Sequence, residues 1–360
     1  MSQLQATIDR IGPLDAAAGA AAIEHLDQLT KPRGSLGRLE ELAIQLAGIT
    51  GEPAPTFERR AIVVAAADHG VTVQGVSAYP SEVTAQMVAN FVAGGAAINV
   101  LARMAHADVL VVDVGVASSV SVDAFAPSRA GGRLLRRRIR PATADLSVGP
   151  AMTRQEAIDA IGIGLDTARQ LAREGVRLVG LGEMGIGNTT AASAIVAALT
   201  GRPPGEVTGR GTGVDEATWR HKVAVIDRGL EVNRPDPGDA VGVLAAIGGL
   251  EIAMLTGLAL GVAAERIPVI VDGFITGAAA LVAARLCPAL PQRLIAAHQS
   301  VEPGHAVVLD DLGLRPLLEL GLRLGEGTGA ALAITLVDAA VRIRDEMATF
   351  ESAGVADGSS

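Results

Sequence analysis

Aromatic residues and cysteine are both scarce in this chain of 360 residues. Aromatic side chains make up 2% of the residues against 49% for all hydrophobic types, so the core must be built from Ala, Val, Leu and Ile. The single cysteine, Cys287, excludes an internal disulfide framework and a metal site made of cysteines. The 43 glycines follow no fixed period and the 17 prolines are an ordinary number, which argues against a collagen-like or disordered chain.

The chain also lacks an excess of basic charge. Its 30 basic and 39 acidic residues give a formal net charge of −9, which argues against a general nucleic-acid-binding protein, although backbone amides could still hold a small anion. The most apolar stretch, residues 247–286, is interrupted by two glutamates, an arginine and Asp272, so it predicts buried helices around a strand and no stable membrane insertion. Residues 1–29 contain no signal-peptide core, and we expect a cytoplasmic protein.

Five short apolar runs without polar alternation are each followed by a helical stretch. Unalternated strands are typical of a sheet covered by helices on both faces. The helical stretches between them indicate right-handed βαβ crossovers. We therefore predict an α/β fold with a doubly wound, mainly parallel sheet. The predicted strands lie within 61–70, 109–115, 176–185, 267–273 and 294–300.

The two ends of the chain have a different pattern. The first 54 residues are helical, and the C-terminal helix that begins near Gly329 is followed by no strand. We expect both ends to form a small helical domain beside the sheet. The predicted organisation is 1–54 as the N-terminal part of the small domain, 55–310 as the large α/β nucleotide-binding domain, 311–350 as the C-terminal part of the small domain with a catalytic loop, and 351–360 as a disordered tail.

Polar residues follow the predicted strands at the ends where doubly wound folds bind their ligands. We expect these residues to share one rim of the sheet. The pair Asp68-His69 has no His or Cys partner at metal-ligand spacing, and Ser300 lacks a nucleophile elbow, so neither a metal site nor a hydrolase triad is favoured. The rim residues are Asp68-His69, Asp113, Glu183, Asp272 and His298-Gln299-Ser300.

Two glycine-rich segments predict an anion site. The first, "GLGEMGIGNTTAASAIVAAL" (180–199), is typical of a strand end, a turn and a helix whose free amides could hold a phosphate. It is neither a Walker A loop nor G-x-G-x-x-G, and a tight turn with an Asn or Thr cap is equally compatible with it. The second, "GRGTGVD" (209–215), has Arg210 inside it and Lys222 close behind, which favours a phosphate-bearing ligand.

Two further segments allow both a purely structural and a functional interpretation. In "LRLGEGTGAALA" (322–333), Glu326 lies among glycines, either in an exposed loop or where backbone approaches a ligand and a carboxylate faces it. In the segment after Tyr79, Val83 and Met87 fall at helical spacing with Gln86 between them. These side chains predict either core packing or a flat apolar slot with one polar contact.

Together these segments resemble the nicotinate-nucleotide–dimethylbenzimidazole phosphoribosyltransferase (CobT) family. The resemblance runs in order from about residue 25 to 345 without large gaps. Its motifs are specific, unlike a lone glycine fingerprint. They are "LTKPRGSLGRLEELA", "ADHGVTVQGVSAYPSEVTAQMVANF", "GEMGIGNTTAASA", "GRGTGVD", "VDGFITGAAAL", "HQSVEPGH" and "LRLGEGTGAALA".

The resemblance implies transfer of the 5-phosphoribosyl group of nicotinate mononucleotide to 5,6-dimethylbenzimidazole, in synthesis of the lower ligand of cobalamin. The implied products are α-ribazole 5′-phosphate and nicotinate. The implied fold is a Rossmann-like sheet domain with a small helical domain from both termini. The implied enzyme is a homodimer with each site near the subunit interface, and it uses no metal and no organic cofactor.

The resemblance also implies roles for single residues. Glu326 matches the catalytic base, with glycine neighbours that would let the acceptor ring approach, and Glu183 matches a second catalytic carboxylate. Glu183 and Asp272 would face the ribose. The nucleotide would be held, mainly at its phosphate, by Gly185, Gly187, Asn188, Thr189, Gly211, Thr212, Lys222 and Ser300. The acceptor base would lie against Tyr79, Pro80, Val83, Gln86, Met87, Leu324 and Gly325.

Other classes of protein stay open. A dinucleotide-dependent oxidoreductase would use the same sheet, but "DHGVTVQG" after the first strand does not fit its glycine fingerprint. A non-catalytic nucleotide-binding protein would keep the glycine-rich turns without needing a poised carboxylate. A transferase of the same kind with another acceptor base is the remaining alternative.

Overall fold

The computed structural model describes residues 2–118, 120, 131–211 and 213–356, and it contains a six-stranded sheet. The strand order is β3-β2-β1-β4-β5-β6, and every neighbouring pair is parallel. The predicted doubly wound parallel sheet is therefore confirmed. The strands are β1 (Arg60–Ala67), β2 (Asp108–Gly115), β3 (Arg133–Arg136), β4 (Leu178–Met184), β5 (Val269–Val271) and β6 (Leu294–Ala296).

Helices cover both faces of the sheet. Apart from two short 3-10 turns at Gly70–Gln74 and Leu290–Arg293, the described helices are α1 (Ser2–Ile8), α2 (Ala16–Gln28), α3 (Arg38–Thr50), α4 (Glu82–Ala93), α5 (Ala97–Met104), α6 (Arg154–Arg173), α7 (Asn188–Thr200), α8 (Pro204–Val207), α9 (Glu216–Asn233), α10 (Ala240–Ile247), α11 (Leu250–Ala264), α12 (Phe274–Leu286), α13 (Pro303–Asp311), α14 (Thr328–Glu346) and α15 (Phe350–Ala353).

The central strand β1 explains why its sequence is apolar without alternation. Successive side chains of a strand point to opposite faces, and here both faces are buried. Ala61, Val63 and Ala65 belong to one core, with helices α6, α7, α10, α11 and α12. Ile62 and Val64 belong to the other core, with α3, α4, α5 and α14. Each side chain of this strand is therefore covered by a helix layer.

All five predicted strands are present, and one strand was missed. Strand β3 has the sequence RLLR, with charged residues at both ends, and it pairs only with β2 at the edge of the sheet. Charged residues are common on edge strands because they discourage pairing with another chain. A search for apolar runs therefore passes over such a strand.

The predicted terminal helical domain is only partly reproduced. Helices α2, α3 and α14 pack together, but their buried side chains, such as Leu42 and Ile334, share a core with the sheet. Helix α1 packs on α6 and α11 at the opposite face, with Leu4 in that core. The boundaries at residues 54 and 310 therefore stay predictions. The tail predicted to be disordered from residue 351 begins inside α15, and its last four residues lie outside the described part.

One stretch of the described chain, Glu82–Met104, has the length and apolar composition of a membrane span. In the structure it consists of two helices, α4 and α5, separated at Gly94, whose φ of 87° is left-handed. Buried residues account for 39% of its most apolar window, and they include Phe91 and Ile98 in the core shared with the sheet. This pattern is that of a helix pair lying over a sheet.

Helices α6 and α11 cross at backbone contact distance. A Cβ atom on Gly164 of α6 would overlap the backbone of Met254, and a Cβ atom on Gly257 of α11 would overlap the carbonyl oxygen of Ile161. Glycine therefore allows the two helices to approach more closely than any other residue would. Helix α11 is buried along its whole length between the sheet and α6, so this crossing attaches α6 to that face of the sheet.

We expect Gly257→Ala to lower the free energy of unfolding by about 1–3 kcal/mol, because the added methyl group forces the two helices apart. The matched control is Gly162→Ala on α6, where nothing lies within 4 Å of the new methyl group. That change should leave stability equal or raise it by up to about 1 kcal/mol through helix propensity. Urea unfolding measures both, and equal destabilisation by the two variants would contradict the crossing as the cause.

Candidate active site

A cavity of about 710 Å³ lies at the carboxyl ends of β4, β5 and β6, beside helix α4, which follows β1. Because β1 and β4 are the strands at which the chain reverses its direction of winding, the cavity is at the topological switch point of the sheet. Of the predicted site residues, those that line it are Tyr79, Val83, Met87, Glu183, Gly185, Asn188, Thr189, Gly211, Asp272, Ser300, Leu324, Gly325 and Glu326.

The loop that carries Glu326 has a left-handed backbone over three consecutive residues. The φ angles are 82° at Gly325, 64° at Glu326 and 88° at Gly327. Glycine adopts this conformation without strain, whereas a side chain such as that of Glu326 does so at a cost of about 1–3 kcal/mol. The two flanking glycines therefore let the loop turn back on itself and aim one carboxylate into the cavity.

The same loop lies directly on strand β4. A Cβ atom on Gly182 of β4 would lie 2.5 Å from the carbonyl oxygen of Glu326, and one on Gly325 would overlap the carboxylate of Glu183. The glycines were expected to give the acceptor ring room to approach. In the structure they have another role, since they permit the loop to pack against the strand that carries the second carboxylate.

The side chain of Glu326 is buried, with 4% of the residue exposed, so the exposed-loop interpretation is wrong. Its Oε2 accepts a hydrogen bond of 3.4 Å from the backbone N–H of Ile98, in the first turn of α5. Burial raises the pKa of Glu326 to about 7, the Ile98 amide opposes this effect, and the charge of Asp272 adds to it. A carboxylate of this kind is a stronger base than one in water.

Glu183, at the end of β4, is also buried, with 5% of the residue exposed. Its Oε2 accepts a hydrogen bond from the side-chain amide of Asn188 at the start of α7. Burial, together with the nearby charges of Glu251 and Asp272, raises its pKa to about 8 against the opposing effect of the Asn188 amide. At neutral pH the free protein therefore holds Glu183 mainly protonated.

Asp272 follows β5 and lines the cavity, but its carboxylate is engaged with the backbone. One oxygen accepts the N–H of Ala330 at 2.9 Å and the other accepts the N–H of Gly327 at 3.2 Å. These amides belong to the beginning of α14, which lacks a capping side chain of its own. Burial raises the pKa of Asp272 to about 7 against the effect of these amides. Asp272 thus anchors the helix that follows the Glu326 loop.

On the side predicted to hold an anion, the cavity is lined by the start of α7 and by the second glycine-rich segment, with α9 behind them. Gly187, with a φ of 92°, precedes the first turn of α7. The ammonium group of Lys222, on α9, donates a hydrogen bond of 2.7 Å to Oγ1 of Thr189. Burial lowers the pKa of Lys222 to about 8. Gly187 and Lys222 lie behind the cavity wall, and the predicted Thr212 lies outside the described residues.

The predicted apolar slot is brought together in part. Val83 and Met87 are one helical turn apart on α4 and line the cavity, as do Tyr79 and Leu324 at its mouth, which are 53% and 57% exposed. Gln86 and Pro80 are exposed and do not line the cavity. Gln86 directly precedes Met87, and successive side chains of a helix are rotated by about 100°, so Gln86 points away from the face that carries Met87.

The phosphoribosyltransferase family model matches residues 11–355. The chain therefore belongs to this family. Among its relatives, the nicotinate-nucleotide–dimethylbenzimidazole phosphoribosyltransferases of Chloroflexus aggregans and of Roseiflexus sp. are both 57% identical to it. The first alignment covers 99% of both chains, and the second covers 99% of this chain and 98% of the relative.

A solved structure supports the same family. The crystal structure of CobT from Thermus thermophilus matches with a TM-score of 0.88 and 50% sequence identity. The match covers 95% of this chain and 100% of the CobT chain. The resemblance found in the sequence is therefore confirmed, and with it the assignment to the CobT type of phosphoribosyltransferase.

Several residues of the phosphoribosyltransferase cavity were not predicted. They include Phe274 and Thr276 at the start of α12, Arg323, and Glu302 before α13. Arg323 and Glu302 lie in the motifs "LRLGEGTGAALA" and "HQSVEPGH", where a charged residue beside glycine or proline was a usable signal. Asp113, which was expected on the rim, instead accepts bonds from the N–H of Val116 and from Arg138, and it does not line the cavity.

A buried pair lies under the glycine-rich turn of this family member. His69 Nε2 and Glu251 Oε1 are 2.7 Å apart, and both side chains are 0% exposed. A Cβ atom on Gly185 would lie 3.4 Å from the His69 ring, so the ring supports this turn from below. Within the described ranges, no group of three His, Cys, Asp or Glu side chains could hold a metal ion. Because both side chains are buried and the ring lies next to Gly185, we expect the pair to support the turn.

We expect His69→Ala to lower the free energy of unfolding by about 3–5 kcal/mol, because it leaves the carboxylate of Glu251 buried without its partner. The matched control is His221→Ala, since His221 is exposed and, among the described residues, bonds to the backbone oxygen of Gln74 alone. That variant should change stability by less than about 1 kcal/mol. Denaturant unfolding compares the two, and a wild-type midpoint for His69→Ala would contradict the supporting role.

Proposed function

We propose that the protein transfers the 5-phosphoribosyl group of nicotinate mononucleotide to 5,6-dimethylbenzimidazole, giving α-ribazole 5′-phosphate and nicotinate. The names of its relatives support this reaction. The observation that carries it is Glu326, a buried carboxylate that faces the cavity and has only the Ile98 amide as a hydrogen-bond partner among the described residues. This reaction would serve the synthesis of the lower ligand of cobalamin.

In this proposal Glu326 is the general base. One nitrogen of the benzimidazole attacks C1′ of the ribose while the other nitrogen carries a proton. As the new bond forms, that proton becomes acidic and passes to the carboxylate of Glu326. The pKa of about 7 supports this role, because it lies close to the working pH and gives the carboxylate enough basicity to accept the proton.

The donor needs less help from the protein. Nicotinate is bound to the ribose as a pyridinium and departs with the bonding electrons as a neutral ring nitrogen. Attack from the side opposite to nicotinate explains how a β-linked donor gives an α-linked product. We assign Glu183 to the ribose, where the cationic donor would favour ionisation of a carboxyl group that is mainly protonated in the free protein.

The phosphate of the donor would lie at the start of α7. Free amides at a helix N-terminus and the positive end of the helix dipole attract an anion. The group assigned to the phosphate is Gly185, Gly187, Asn188, Thr189, Gly211, Thr212, Lys222 and Ser300. The bond between Lys222 and Thr189 supports this assignment, since it places a cation beside the same turn.

The acceptor base would occupy the slot formed by Tyr79, Val83, Met87, Leu324 and Gly325. Pro80 and Gln86 stay in this group by resemblance alone, because neither lines the cavity in the free protein. A slot in which Gln86 makes no polar contact with the base would also accept other bases. The alternative of the same transfer to a different acceptor therefore stays open.

We further propose that the enzyme is a homodimer with the site near the interface. Helix α5 supports this proposal. Its N-terminal Ile98 bonds to Glu326, and its residues Val100 and Met104, one turn apart, are 54% and 51% exposed. A second subunit on this face would bury them close to the catalytic loop. Light scattering of the purified protein tests the stoichiometry. The cytoplasmic location stays a prediction from the sequence.

Incubation with nicotinate mononucleotide and 5,6-dimethylbenzimidazole tests the reaction. We expect α-ribazole 5′-phosphate and nicotinate in equal amounts, with the α configuration established by NMR. Binding of both compounds without any product would favour the non-catalytic alternative. Faster turnover with a purine or with another benzimidazole would identify a different acceptor. Failure of every base to react would contradict the proposed function.

We expect Glu326→Gln to lower the turnover rate by roughly 100- to 10,000-fold, the usual contribution of a general base, while both substrates still bind. In the wild type, the rate should fall as pH falls through about 7, because protonated Glu326 cannot accept a proton. The matched control is Glu319→Gln, an exposed residue seven positions earlier that should keep the wild-type rate and pH profile. A Glu326→Gln enzyme with nearly wild-type turnover would remove Glu326 as the base.

A further inference from the structure

Two buried groups of opposite charge flank Gly211 at the proposed phosphate site. A Cβ atom on Gly211 would lie 3.4 Å from Nζ of Lys222, and the N–H of Gly211 donates a 2.9 Å hydrogen bond to Oε1 of Glu302. Lys222 is 1% exposed and Glu302 is 6% exposed. The carboxylate and the ammonium group thus both lie next to Gly211.

The fold holds both groups firmly. Lys222 projects from the second turn of α9, and Glu302 is the residue before α13, with its own N–H bonded to the hydroxyl of Ser300 at 3.3 Å. A Cβ atom on Gly209 would overlap the carboxylate of Glu302, so glycine is needed there. The second carboxylate oxygen has no hydrogen-bond partner in the described part of the chain. The carboxylate is thus buried without full hydrogen bonding.

Such an arrangement has an electrostatic consequence. An ammonium group removed from water loses its proton more easily unless a negative charge lies nearby. Burial lowers the pKa of Lys222 to about 8, and the charge of Glu302 opposes that effect. The hydroxyl of Thr189, its hydrogen-bond partner, carries no charge.

The other charged groups around this point do not replace Glu302. Arg323 donates to the carbonyl oxygen of Gly211 at 3.4 Å, and as a cation it supplies no negative charge to Lys222. Arg210 turns outward to Glu216 on the first turn of α9. His305 of α13 is neutral, because burial lowers its pKa to about 3. Within the described ranges, Glu302 is the acidic residue that contacts this segment from the cavity side.

We propose that Glu302 is a positioning residue for phosphate binding, which keeps Lys222 protonated in the free enzyme and holds the Gly211 segment in place. The inference rests on the proposed function, in which Lys222 binds the phosphate of the donor. Removing the charge of Glu302 has two opposite effects on a phosphate, since it removes repulsion and it also deprotonates Lys222. Affinity at one pH is therefore a poor test, whereas the titration of Lys222 is a direct one.

The sequence makes that titration practical, because Lys31 and Lys222 are its only two lysines. Protein labelled with 13C at lysine Cε should give two NMR signals. Lys31 is 2.8 Å from Glu40, in a separate ion pair whose residues do not line the cavity, and serves as an internal reference. In the wild type we expect the Lys222 signal to titrate near pH 8.

In Glu302→Gln, which keeps the shape and loses the charge, the Lys222 midpoint should move to lower pH by more than about half a unit, while the Lys31 signal stays unchanged. Glu302→Asp, which keeps the charge, should restore most of the wild-type midpoint. The matched control Glu40→Gln should alter the Lys31 signal alone. An unchanged Lys222 midpoint in Glu302→Gln would overturn the proposal. So would a wild-type midpoint below pH 7, a result that needs no variant.

Calorimetry measures how the affinity for nicotinate mononucleotide depends on pH. Affinity falls as pH rises through the Lys222 midpoint of the free enzyme, so this alkaline limb should begin at lower pH in Glu302→Gln. Above pH 8 the variant should raise KM for the donor more than it lowers kcat. A limb that does not move would contradict the proposal. The lysine titration uses free protein, so it can fail while wild-type turnover still supports the proposed reaction.

Discussion

The contact between the Glu326 loop and strand β4 is the constraint on which the site depends. Gly182 of the strand and Gly327 of the loop meet backbone to backbone, and each would overlap a neighbour if it carried a side chain. The left-handed turn at residues 325–327 follows from this approach. Asp272 secures it by accepting two amides at the start of α14. The position of the Glu326 carboxylate, the proposed base, is thus set by main-chain packing.

This packing also determines the chemistry of the acidic side of the cavity. A loop pressed onto a buried strand excludes water, and three carboxyl groups lose most of their solvation. Burial is the leading cause of the raised pKa of Glu183, Asp272 and Glu326. Burying these groups costs the fold free energy. It also makes them stronger bases, since a poorly solvated carboxylate accepts a proton more readily.

The two sides of the cavity handle charge in opposite ways. On the carboxylate side, burial favours the neutral acids in the free protein, which reduces repulsion of an anionic donor. On the helix α7 side, burial lowers the pKa of Lys222 to about 8, and the charge of Glu302 opposes that effect. One physical cause, the removal of water, therefore favours the neutral form of both the acids and the lysine. In a protein with a net charge of −9, the proposed phosphate site depends on this local arrangement of charge.

The sequence by itself determined the family, the parallel sheet and most of the cavity lining. Short apolar runs without alternation are typical of strands with two covered faces, and the motifs around Glu183 and Glu326 are specific in type and order. Tertiary structure decided the rest. The edge strand β3 can be identified only from its pairing with β2. The hydrogen bonds of Asp272 to α14 join residues more than 50 positions apart. The pairing of Glu302 with Gly211 spans 91 positions. Such contacts depend on which surfaces the packed helices bring together, and this cannot be predicted from local residue patterns.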